Sequence, residues 1–228
     1  MISSATAFLL LRAKRNVAVS TRLVVNPQDD ILLLRLESDD GLPRLEMAVL
    51  DALDREVVRL AEASELAGAV ITGSELAFAA GAEIAEVARL TPRVALAFAR
   101  RGQEVLGRIA SSAKPVVAAI RGYCIGGGLD LALACHARIA AADAVFAHPG
   151  VRRGIITGWG GTQRLPRLIG RGPALEMLIT GSRIRSREAS AWGLVSKVSA
   201  DDELRDDATH LARALARQHG RDAGGLDC

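Results

Sequence analysis

Aromatic residues make up only 3% of this 228-residue chain, too few for the row of stacking rings that carries single-stranded nucleic acid. Charge of one sign is scarce too: the formal net charge is +3, so no nucleic-acid partner is expected. Cysteine is rare. Cys124, Cys135 and Cys228 have neither metal-ligand spacing nor a disulfide framework, which fits a reducing compartment, expected to be the cytoplasm, with no metal. Cys124, at a strand-to-loop turn, and Cys135, late in an apolar helix, read as core fillers. No uncharged run is long enough to span a bilayer, so no membrane is expected. The apolar patch Phe8 to Leu11 is followed by Arg12, Lys14 and Arg15, whereas a secretory leader has its charges first.

What is present is ordinary globular material, 50% hydrophobic and 24% charged, enough to bury one sizeable core. Residues 1–20 read as an N-terminal tail, 21–198 as the core and 199–228 as a C-terminal helix and tail. Ile31 to Leu36 is expected to be a strand, closed by the polar turn Ser38 to Gly41. Glu46 to Leu66 has helical spacing, with Gly68 as its stop and Ala69 to Thr72 as the next strand. Later come a helix from Arg171 to Gly181, a second from Ser186 to Trp192, a strand at Val195 to Val198 and an amphipathic helix from Asp202 to Gln218. Gly220 to Cys228 reads as an unstructured polar end. The recurring cycle of strand, loop and helix marks an α/β protein.

The densest signal runs from Lys114 to Leu165. Pro115 to Ile120 is a β-branched apolar run, as in a strand buried on both faces. Gly126, Gly127 and Gly128 follow at a strand-to-helix junction, where bare backbone N–H groups and the helix dipole favour negative charge. Leu129, Leu131, Leu133 and Ala134 carry that helix into the core, with Asp130 in its first turn.

The run GYCIGGGLDLALACHARIAAADAVFAHP, then GWGGTQRLPRLIG, resembles the signature of the enoyl-CoA hydratase/isomerase family, the crotonases. VITGSELAFAAGAEI, from Val70 to Ile84, and GRGPALEMLITGSRIRSREASAWGLVSKV are similar to further family segments. The resemblance implies a crotonase-like spiral of repeated β-β-α turns, here with a shortened C-terminal helical region, and an acyl-CoA thioester as substrate. Coenzyme A would arrive with the substrate, with no separate cofactor. Ala80, Ala82, Glu83, Ile84 and Gly127 are the implied acyl-CoA contacts, and the amides of Ala82 and Gly127 are the implied holders of the thioester oxygen. Each such donor is commonly worth about a hundred- to a thousandfold in rate. Homotrimers or hexamers are likewise implied.

The acid–base pattern departs from that family. Its hydratases carry two glutamates; the matching positions here are Asp130 and Gly150. A positioned acid or base contributes about 10² to 10⁴ in rate, so two-carboxylate hydration needs a substitute at Gly150. Water or a small anion is one, as in synthases of this superfamily that use bicarbonate. His148, expected on the same face of an extended segment, is another; its plainer reading is a polar loop cap. Glu83 and Glu86 are a third, although both read more simply as solvated helix residues. Trp159 opens a further helix and reads either as a structural plug beneath the site or, with Gly158 and the helix start, as part of a dipole aimed at the acyl group. Arg152 and Arg153 read as either phosphate contacts or solvated charges. Two functions of different kinds stay open: an enolate-stabilising acyl-CoA enzyme (hydratase, isomerase or a related lyase, hydrolase or synthase), and a non-catalytic acyl-CoA binder.

Overall fold

The computed structural model describes residues 20–222. The expected N-terminal tail, apart from Ser20, and the polar end from residue 223 onward, Cys228 included, lie outside the described residues.

The described chain opens with a hairpin, β1 (Thr21–Gln28) and β2 (Ile31–Ser38), turned at Asp29, which has a positive φ of 53°. β2 is apolar on both faces. Leu32, Leu34 and Leu36 enter one core cluster while Ile31 and Leu33 enter another, the period-two division of a strand covered on both sides. Helix α1 (Met47–Glu62) buries Val49, Leu50, Leu53, Val57 and Leu60, a stripe at helical spacing.

α1 ends at Ala63, whose amide donates to the Arg59 carbonyl. Gly68 is therefore not its stop but the first residue of β3 (Gly68–Thr72). A Cβ there would fall 2.8 Å from the Pro115 carbonyl oxygen, so strand packing selects the glycine.

Three successive units then follow one plan, a strand in one sheet and a short strand in the other. They are β3 with β4 (Ala77–Ala79), β5 (Val116–Ile120) with β6 (Tyr123–Ile125), and β7 (Ala137–Ala141) with β8 (Val145–Ala147). The helices after these pairs are α2 (Ile84–Val87) and α3 (Pro92–Ala110), then α4 (Gly127–Ala134), then the 3₁₀ turn Pro149–Arg153 with α5 (Gly161–Ile169). Helix α6 (Arg171–Thr180), strand β9 (Arg183–Arg185), helix α7 (Ser186–Ala191), strand β10 (Lys197–Ser199) and helix α8 (Leu204–Asp222) complete the order.

The six-stranded sheet runs β1-β2-β3-β5-β7-β10 and the four-stranded sheet β4-β6-β8-β9. All neighbours are parallel except the β1/β2 and β8/β9 pairs. Alternation between the two sheets is the expected crotonase-like spiral. α8 covers the outer face of the large sheet, where Leu204, Ala208 and Ala212 meet Val70, Val117 and Ile139. The helix continues through residues 220–222, where polar composition predicts an unstructured end.

Candidate active site

α4 is buried nearly all round, from Gly128 to Ala134, so its position is set by packing on every side. Its far end is tied by the buried Arg138, which donates to the carbonyls of Ala132, Cys135 and Leu194, cationic compensation for a helix C-terminus. Gly128 lets α4 approach β4, because a Cβ there would fall 2.3 Å from the Ala79 carbonyl oxygen.

Two bends meet at the start of α4. Gly81 (φ +97°) and Gly126 (φ +54°) adopt backbone that side chains disfavour. A Cβ on Gly127 would stand 3.3 Å from the Ala82 nitrogen, and one on Gly81 would stand 3.6 Å from the Gly127 nitrogen. The bends are pinned by Leu45 N–H to Gly81 O at 2.8 Å, Ala80 N–H to Pro43 O at 2.7 Å and Gly126 N–H to Ala147 O at 2.8 Å. Among the described residues neither the Ala82 nor the Gly127 amide donates to a protein acceptor.

Asp130 lies one turn into α4 and is 1% exposed. Thr157 donates its hydroxyl to Oδ2, and His148 Nε2 stands 3.5 Å from Oδ1. Burial pushes the Asp130 carboxyl up to about 6, against the pull of Thr157, the Trp159 and Gly161 amides and the Arg164 charge. Burial also pushes the His148 imidazole down to about 4. Asp130 thus faces the N-terminal end of α5, a placement that favours negative charge.

His148 is where the expectation and the structure differ. The chain turns into a 3₁₀ helix at Pro149, so residues 148 and 150 do not share a face of an extended segment. The ring makes no cap for the loop and is buried beside Asp130. Gly150 does not leave open space: a Cβ there would fall 2.8 Å from the Ile155 carbonyl oxygen, and Ile155 N–H donates to Gly150 O at 3.0 Å.

Of the other sequence candidates, Glu83 caps α2 by accepting from the Ala85 amide at 2.9 Å and pairs with Arg44 at 3.4 Å. Burial raises the Glu86 carboxyl, against the pull of the nearby Met47 amide. Ile84 is exposed. Arg152 donates to the Gly181 carbonyl at 3.4 Å. Cys124, within β6 rather than in a turn, and Cys135, at the end of α4, are buried. Burial pushes both thiols up, that of Cys135 to about 12, consistent with core filling. No cluster able to hold a metal occurs among the described residues, and no helix there is long and apolar enough to cross a membrane.

Trp159 lies two residues before α5, in the core. Its ring takes the space a Cβ would need at Gly102 (2.2 Å) and at Gly127 (2.6 Å), and its centroid is 5.3 Å from that of Phe98. It is therefore a wall directly against the paired bends. Thr157, Gly102 and Phe98 carried no signal in the sequence, because their roles depend on partners far along the chain.

Residues 35–223 match the family described as enoyl-CoA hydratase/isomerase. The chain is 37% identical over 187 residues to a probable mitochondrial enoyl-CoA hydratase of Dictyostelium discoideum, covering 81% of this chain and 66% of that protein, just under two thirds of the relative's length. It is 34% identical over 195 residues to the probable enoyl-CoA hydratase echA8 of Mycobacterium bovis, covering 86% of this chain and 75% of that one. Among solved structures, an enoyl-CoA hydratase from Bacillus anthracis superposes with a TM-score of 0.80 at 34% identity, over 85% of this chain and 76% of that one.

Proposed function

The chain belongs to the enoyl-CoA hydratase/isomerase family, and from that premise we propose that it processes acyl-CoA thioesters through an enolate held by the Ala82 and Gly127 amides. The observation that carries the reading is the approach of the two bends, with the Ala82 nitrogen 3.3 Å from the Cβ position of Gly127. Negative charge gathers on the thioester oxygen when a proton leaves the α-carbon or a nucleophile joins the β-carbon. Two main-chain donors without protein acceptors suit that charge.

Asp130 is the resident acid–base. A carboxyl raised to about 6 exchanges protons readily near neutral pH. Migration of a double bond needs one group, which removes a proton from one carbon and returns it to another. Hydration by the two-carboxylate route needs a second, and Ile155 backbone occupies the space beside Gly150. We therefore favour isomerisation over hydration.

The test is spectroscopic. A 3-enoyl-CoA is expected to gain the absorbance of its conjugated 2-enoyl isomer, and Asp130→Asn is expected to abolish the gain. Conversion of crotonyl-CoA to its hydrate faster than any isomerisation would overturn the preference.

A second reading, a non-catalytic acyl-CoA binder, is favoured by the near-complete closure of Asp130 from solvent. Tight calorimetric binding of acyl-CoA without turnover of either substrate would select it. Exposed Ile156, Leu175 and Ile179 support assembly as a homotrimer or hexamer, to be tested by light scattering. A cytoplasmic location remains part of the same proposal.

A further inference from the structure

Asp130 and His148 form a buried contact that the amide pair does not explain. Among the described residues, Asp130 Oδ1 and both ring nitrogens of His148 have no hydrogen-bond partner, yet Nε2 and Oδ1 stand 3.5 Å apart. Unpartnered buried polar atoms are costly and rare, and a small approach would satisfy two of these three. The other groups facing Asp130 are the Thr157 hydroxyl, the Trp159 and Gly161 amides, the Arg164 guanidinium and the Cys124 thiol. Thr157 takes Oδ2, while Oδ1 faces both His148 Nε2 at 3.5 Å and the start of α5, where a Cβ on Gly161 would fall 2.1 Å from it.

We propose that His148 is a positioning residue for Asp130: a neutral imidazole with its proton on Nε2, donating to Oδ1 while Thr157 holds Oδ2. The proposal rests on Asp130 being the acid–base group of an acyl-CoA enzyme. Held at both oxygens, a single carboxylate keeps one orientation in a site without a second carboxylate at position 150. The donor also favours the ionised form against burial, so losing it makes Asp130 harder to ionise.

Two readouts test this without requiring turnover. Long-range nitrogen–proton NMR of the wild-type protein at about pH 8 reports the ring tautomer. The infrared band of the Asp130 carboxylic acid, assigned by its loss in Asp130→Asn, reports where Asp130 titrates. The expected tautomer is Nε2–H. The expected midpoint is at least about one pH unit (tenfold in proton affinity) higher in His148→Leu than in the wild type, and close to wild type in His148→Gln, whose amide restores a donor. Where turnover is measurable, kcat at neutral pH is expected to fall in His148→Leu with KM little changed.

An Nδ1–H tautomer, or an unmoved midpoint in His148→Leu, overturns the proposal. If His148→Leu does not fold, the wild-type tautomer decides it. The shifts without turnover of any acyl-CoA would refute the enzyme reading while leaving the contact intact; turnover with an unmoved midpoint would do the reverse.

Discussion

Replacing Asp130 with Asn is expected to stabilise the folded protein at alkaline pH while removing its activity. The carboxyl has an ordinary value of 3.8 and rises to about 6 in the fold. A group whose folded value is raised binds its proton more tightly when folded. Its contribution to stability is therefore fully present below 3.8 and is lost as pH rises through about 6. The difference of about two pH units corresponds to roughly 3 kcal/mol of unfavourable charge burial above neutrality. Asn keeps the shape and removes the charge, but the Thr157 hydroxyl loses a charged acceptor. A net gain of about 1–3 kcal/mol is expected. Urea unfolding of both proteins at about pH 8, 6 and 4 measures it. The gain should be largest at pH 8 and vanish by about pH 4. A variant less stable than wild type at pH 8, or a difference independent of pH, would refute the reasoning.

Other consequences are open to direct measurement. Turnover that uses Asp130 as base should fall as pH drops through about 6, visible as an acid limb in the kcat/KM profile of the wild type. Gly127→Ala places a methyl 2.6 Å from the Trp159 ring and should lower both stability and acyl-CoA turnover, read by thermal melting and steady-state rates. Trp159→Ala empties the space between Gly102 and Gly127 and should cost about 3–5 kcal/mol in urea unfolding. Gly150→Glu should fail to restore hydration, because its Cβ meets the Ile155 carbonyl; a crotonyl-CoA hydration assay checks it.

Much of the architecture was legible where residues announce a local constraint. The triple glycine marked the start of α4, and the continuous apolar runs marked β2 and β5. The three-residue strands β4, β6, β8 and β9 are too short for any periodicity to declare them. β1 was obscured because Pro27 argues against a strand unless it lies at a sheet edge, as this one does. α3 did carry a signal, Thr91 as N-cap followed by Pro92 at the first position.

Within the site, Asp130 and the two bends stood out, whereas their neighbours did not. The contact between Asp130 and His148 joins separate elements, and the closing of Gly150 by Ile155 depends on the path of a loop. Such tertiary proximities have no local pattern to betray them.

The most direct measurement is the infrared carbonyl stretch of a ¹³C-labelled acyl-CoA thioester, free and bound. Polarisation by the Ala82 and Gly127 amides predicts a clear shift to lower wavenumber on binding, weakened in Gly127→Ala. A bound thioester whose carbonyl stretch stays at its free position would contradict the account.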